Sequence, residues 1–168
     1  SYPGNLNCKA IYELNNNNEL LINFQAISDQ DTIVNLTNHN YWNFHGHGDY
    51  YHNNEDHVVN INSNSICETD EQSIPTGNLI NVEETKFNLK NEFLISKEFL
   101  NSGGIDHNYV LKDQSMRESV ATIFSKKTRM GVEYFTNQHG IQFYTGNMML
   151  DKYIGKYNKA YGLQYGMC

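Results

Sequence analysis

Apolar Ala10, Tyr12 and Leu14 alternate with polar Glu13 and a preceding Lys9. After four consecutive asparagines the alternation resumes, with Leu20, Ile22, Phe24 and Ala26 set against Asn23 and Gln25. A period of two is the mark of a strand with one face covered. Asparagine tolerates left-handed backbone angles, so Asn15 to Asn18 reads as the tip of a β-hairpin and as a tolerated surface insertion. Short runs rich in β-branched and aromatic residues predict further strands over Ile33 to Thr37, His57 to Asn62, Glu118 to Phe124, Gly131 to Thr136 and Ile141 to Thr145. Pro75-Thr76-Gly77 predicts a turn between strands. Helical spacing is weak and confined to about Asn88 to Leu100, with Phe93, Leu94 and Phe99. Many short strands with little helix predict an all-β sandwich or barrel. With no repeat and no linker, residues 1–168 are expected to form one domain.

Composition narrows the class. At 168 residues, 39% hydrophobic and 18% charged, the chain is globular and long enough for a core. No run of 18 apolar residues is present, so no membrane span is expected. A net charge of -7 with 12 Lys and Arg argues against a nucleic-acid partner and does not favour a phosphorylated substrate. The start, Ser1-Tyr2-Pro3-Gly4-Asn5, has no secretory-signal pattern, and without an initiating Met a longer chain upstream is expected. Cys8, Cys67 and Cys168 are odd in number and far apart, which predicts reduced thiols and a cytoplasmic protein. Twelve Tyr, eight Phe and one Trp among many amides suit the apolar faces and hydroxyls of a sugar, although aromatic residues also fill β cores.

Three segments concentrate chemistry. In Asn35-Leu36-Thr37-Asn38-His39-Asn40-Tyr41-Trp42-Asn43-Phe44, a histidine sits among amides and large aromatics after an expected strand. His39 reads either as a satisfied structural histidine or as a proton donor near neutral pH. In Gly103-Gly104-Ile105-Asp106-His107-Asn108-Tyr109, the double glycine lets the backbone turn sharply and approach a ligand. Asp106 then reads as a turn cap or as an acceptor for two adjacent sugar hydroxyls. In Ile141-Gln142-Phe143-Tyr144-Thr145-Gly146-Asn147, alternation sends Gln142 to the face opposite Ile141 and Phe143. His45, His47, His52 and His57 gather with Asp49, Glu55 and Asp56 in a stretch containing Gly46 and Gly48. Their spacing fits no standard zinc pattern, so the stretch reads as a polar loop and no functional metal is expected.

Taken together these segments resemble the aldose 1-epimerase (galactose mutarotase) family. Asn35, Thr37, Asn38, His39, Tyr41, Trp42 and Asn43 match its Asn-x-Thr-Asn-His-x-Tyr-[Phe/Trp]-Asn signature, and Phe44 stands where Leu or Ile is usual. Gly103 to Asn108 and Gln142 to Asn147 match two more of its segments, with support from Tyr2-Pro3-Gly4-Asn5-Leu6 and Ile74-Pro75-Thr76-Gly77. The resemblance implies an antiparallel β-sandwich of the galactose mutarotase-like supersandwich type, incomplete in this chain, with an open cleft for an unphosphorylated hexose. It implies acid–base ring opening without cofactor or metal, with His39 as general acid and Asp106, Gln142 and Asn38 holding the sugar. Tyr41 and Trp42 are expected to pack beneath their loop. The family's general-base Glu follows a Gly-x-Cys-type segment, here Gly166-Met167-Cys168, and its Arg and second His lie upstream of the Tyr-Pro-Gly-Asn segment. The expectation is therefore a fragment truncated at both ends or, alternatively, a catalytically inactive carbohydrate-binding fragment or paralogue. A small hexose is the expected partner, and no oligomeric state is implied.

Overall fold

The structure, a computed structural model, describes residues 2–47, 53–112, 114–149 and 153–168. It divides into two compact units, residues 1–39 and 40–168.

The first unit is built on a hairpin of β1 (Leu6–Leu14) and β2 (Leu20–Ser28), paired from Leu6↔Ser28 to Leu14↔Leu20. Its tip forms because Asn15 Oδ1 accepts from the amides of Asn17 and Glu19 (2.9 and 3.1 Å), while Asn18 takes φ 61°. Its open end is closed by Asp29, which accepts from Asn5 N and Nδ2 at 2.7 and 2.8 Å. The expected strand over Ile33 to Thr37 does not form. These residues join no ladder among the described residues, and Ile33 is 68% exposed. β-branched residues make a strand only where a neighbouring edge receives them.

The second unit carries two four-stranded antiparallel sheets. One has the order β6-β3-β8-β9, from β3 (His57–Ile61), β6 (Phe93–Leu94), β8 (Ala121–Ser125) and β9 (Met130–Tyr134). The other has the order β10-β7-β4-β5, from β4 (Ser65–Thr69), β5 (Pro75–Asn81), β7 (Asp106–Val110) and β10 (Gly140–Tyr144). Val59, Ile61 and Ile123 from the first sheet meet Ile66, Tyr109 and Phe143 from the second in one core, giving the expected β-sandwich. A small ladder of β11 (Tyr153–Ile154) and β12 (Ala160–Tyr161) stands apart from both sheets.

Two local expectations are corrected. The helix over Asn88 to Leu100 shrinks to α1 (Lys97–Asn101), capped by Ser96 Oγ accepting from Phe99 N, because Phe93 and Leu94 are drawn into β6. Pro75 opens β5 instead of making the turn, a position where its missing N–H does least harm. The turn comes earlier, where Asp70 Oδ1 accepts from Gln72 N and Ile74 N, both at 2.9 Å, and Ser73 takes φ 63°.

The segment at 165–168 joins the second unit late in the chain. Trp42 and Met167 exchange backbone hydrogen bonds of 2.8 and 2.9 Å, and Tyr144 and Cys168 do the same. Met167 is fully buried. The row across the strands therefore runs Asp106, Tyr144, Cys168, since Tyr144 also pairs with Asp106.

Candidate functional site

β7 and β10 bring two of the expected residues together. Alternation along each strand sends Ile141, Phe143, His107 and Tyr109 to one side, and Asp106, Asn108, Gln142 and Tyr144 to the other. On that second side Gln142 Nε2 donates to Asp106 Oδ1 at 2.8 Å, and both side chains are exposed. They line an open depression of about 120 Å³ together with Cys67 and Thr69 of β4, Pro75 of β5, and Asn108. The hydrogen bond turns the Gln142 amide so that its oxygen, and Asp106 Oδ2, remain as acceptors. A larger depression of about 380 Å³ crosses β8 and β9, but its only ionisable lining residue is Glu133. Chemistry is concentrated at the smaller one.

The start of β7 is held by Thr145 and Asn147. Thr145 Oγ1 accepts from Ile105 N at 2.9 Å and donates to Asn147 Oδ1 at 2.7 Å, while Asn147 Nδ2 donates to Ile105 O at 3.0 Å. With both polar groups of Ile105 taken, Asp106 leaves this network in a fixed direction. The double glycine also serves this network. Gly104 is buried at φ 57°, and a Cβ on it would collide with Thr145 Oγ1 and Asn147 Oδ1. Gly103 supplies the other left-handed step at φ 99°. This role depends on the register between distant strands, so no local signal in the sequence could have shown it.

The flank of the depression is aromatic. Tyr41 meets Tyr144 edge to face at 6.3 Å and 84°. Trp42 stacks on Phe44 at 5.6 Å and packs on the core, as expected, whereas Tyr41 is 48% exposed and does not lie beneath the loop. Burial, then the neighbouring Cys168 thiol, pushes the Tyr41 phenol up to about 12. Burial pushes the Cys168 thiol up to about 11, so both stay neutral near pH 7.

His39 and Asn38 belong to the first unit, where His39 is exposed and Asn38 Nδ2 donates to Tyr12 Oη at 3.0 Å. Of the histidine-rich stretch, His52 and Asp49 lie outside the described residues. His57 is fully buried: Phe44 N donates to its Nε2 at 3.1 Å, and Nδ1 donates to Asn54 O at 3.0 Å. Its ring lies 4.2 Å from that of buried His45. Burial, then His45, holds the His57 pKa down to about 4. Among the described residues no three His, Cys, Asp or Glu side chains are grouped to hold a metal ion. No helix among them is long and apolar enough to cross a membrane.

A family model described as aldose 1-epimerase matches residues 1–165. The chain is 36% identical over 169 aligned positions to a galactose mutarotase of Bos taurus, covering 99% of this chain and 48% of that protein. It is 35% identical to a galactose mutarotase of Homo sapiens over the same shares. Against an aldose 1-epimerase of Escherichia coli (strain K12) it is 30% identical over 88% of this chain and 44% of the other. The chain thus spans about half the length of the curated relatives it matches. Among solved structures, a galactose 1-epimerase from Lactobacillus acidophilus NCFM superposes with a TM-score of 0.79 at 26% identity, covering 99% of this chain and 48% of that one. An aldose epimerase homologue from C. elegans superposes at 0.85 and 22% identity over 99% and 50%, a likeness of fold alone.

Proposed function

This chain belongs to the aldose 1-epimerase family, and from that premise we propose that it acts in the interconversion of the α and β anomers of an unphosphorylated hexose, galactose or glucose. The observation that carries the reading is the Asp106–Gln142 pair, two acceptor-bearing side chains locked together at 2.8 Å on an exposed sheet face. Such a pair matches neighbouring hydroxyls, and the Asp106 carboxylate would repel a phosphorylated sugar.

The reaction moves two protons. A base takes the proton of the anomeric hydroxyl while an acid protonates the ring oxygen, and the C1–O5 bond opens to the free aldehyde. Rotation about C1–C2 presents the other carbonyl face, and the reverse transfers close the ring as the other anomer. Electrons and atoms balance without a cofactor or metal. His39 is the general acid, and Asp106, Gln142 and Asn38 hold the sugar. The family resemblance assigns the base to a Glu following the Gly-x-Cys-type segment. In support, Cys168 of that segment shares a row with Tyr144 and Asp106.

Polarimetry of α-D-galactose tests this. Joined to a segment that bears this Glu, the chain should speed mutarotation above the buffer rate, and His39→Asn should lower the enzymatic rate by about 10²–10⁴, the usual contribution of one placed acid. Asp106→Asn should weaken galactose binding at least tenfold. An unchanged rate in His39→Asn would remove the acid from the scheme. Galactose binding without any rate enhancement would favour the second reading, an inactive carbohydrate-binding module.

A further inference from the structure

We infer that Asn108 is a further hexose-binding side chain and that Cys67 positions it; this rests on the hexose reading of the Asp106–Gln142 face. Asn108 lies two residues beyond Asp106 on the same side of β7 and pairs across the ladder with Gln142. All three line one depression, and Cys67 joins them from β4.

The carboxamide of Asn108 is held from two directions. Cys67 Sγ donates to its Oδ1 at 3.6 Å. On the β10 side the amide occupies space left by Gly140, where a Cβ would come within 2.5 Å of Asn108 Oδ1. With the oxygen turned to the thiol, Nδ2 is the end that remains, and it donates to no acceptor among the described residues. Asn108 is only half-buried, so a ligand can reach that nitrogen.

The chemistry of the face calls for such a donor. Asp106 Oδ2 and Gln142 Oε1 are acceptors, since Asp106 Oδ1 and Gln142 Nε2 satisfy each other. A sugar hydroxyl that gives its proton to an acceptor still carries lone pairs, and in a desolvated contact these need a donor. Asn108 Nδ2 supplies it. The face then presents both hydrogen-bonding polarities to a polyol, and its negative charge selects a neutral ligand.

NMR titration of the full chain with D-galactose and its monodeoxy derivatives tests the inference. Asn108→Ala is expected to weaken galactose binding about tenfold, the scale of one lost hydrogen bond. Asn108→Asp, of nearly equal volume but with the donor replaced by an acceptor, should lose at least as much while melting near the wild-type temperature. Cys67→Ala should weaken binding about threefold, and Cys67→Ser should restore it by supplying another donor to Oδ1. One deoxy sugar should bind the wild type about tenfold less tightly than galactose yet bind Asn108→Ala no worse than galactose, a pattern that a merely structural role would not produce. If Asn108→Ala and Asn108→Asp rank galactose and the deoxy sugars as the wild type does, while Asp106→Asn loses binding, the inference falls and the hexose reading stands. If the wild type takes up no galactose, both fall.

Discussion

His57 shows how much one residue can carry when both its ring nitrogens are committed. Its Nε2 must stay unprotonated to accept from Phe44 N, and its fully buried ring lies beside His45. The folded pKa is held near 4 against an ordinary 6.5, so between those values the unfolded chain binds a proton that the folded chain refuses. Stability therefore falls as pH drops from about 6.5 to about 4 and levels off below, by up to about 3 kcal/mol from this residue. Denaturant melts between pH 7.5 and 4.5 should show that decline, and His57→Gln should lack His57's share of it. Parallel profiles for the two proteins would contradict the assignment. The thiols give a second residue-scale prediction. Cys8 is exposed, whereas burial holds Cys168 at about 11. Timed maleimide labelling read by mass spectrometry should modify Cys8 more than tenfold faster than Cys168, and saturating galactose should slow Cys67 alone.

At the scale of elements, the start of β7 depends on Gly104 having no side chain. Gly104→Ala would strain a backbone at φ 57° and drive a methyl into Thr145 and Asn147. A loss of about 1–3 kcal/mol in a thermal melt is expected, with weaker hexose binding as Asp106 shifts. Unchanged stability and affinity would mean that the network does not aim Asp106. β8, β9 and β10 were legible from their runs of β-branched and aromatic residues, and the hairpin from its alternation, although both hairpin strands are largely exposed here, with Tyr12 and Leu14 uncovered. β4 was not, since Ser65-Ile66-Cys67-Glu68-Thr69 has one fully buried residue, Ile66, and looks polar. Ile33 to Thr37 misled in the opposite way, having strand-forming residues but no edge to join. Asp106 and Gln142 were legible as candidates through the family resemblance. That they would lock together, and that Thr145 and Asn147 would brace them, follows from a register set between strands more than thirty residues apart.

Across the second unit, a single core joins two sheets whose strands come from well-separated parts of the chain. The candidate site lies on the side of one sheet that faces away from this core, so its polar residues can change without disturbing Ile66, Tyr109 or Phe143 beneath them. The bonds that tie Trp42 to Met167 and Asn43 to Tyr165 span most of this unit, the latter over 122 residues. On a ribosome adding roughly 5–20 residues each second, the Trp42 segment emerges about 6–25 seconds before its partner. During that interval Trp42 and Phe44 have no strand to close over them. Until the 165–168 segment arrives, these two rings are apolar surface through which crowded nascent chains associate.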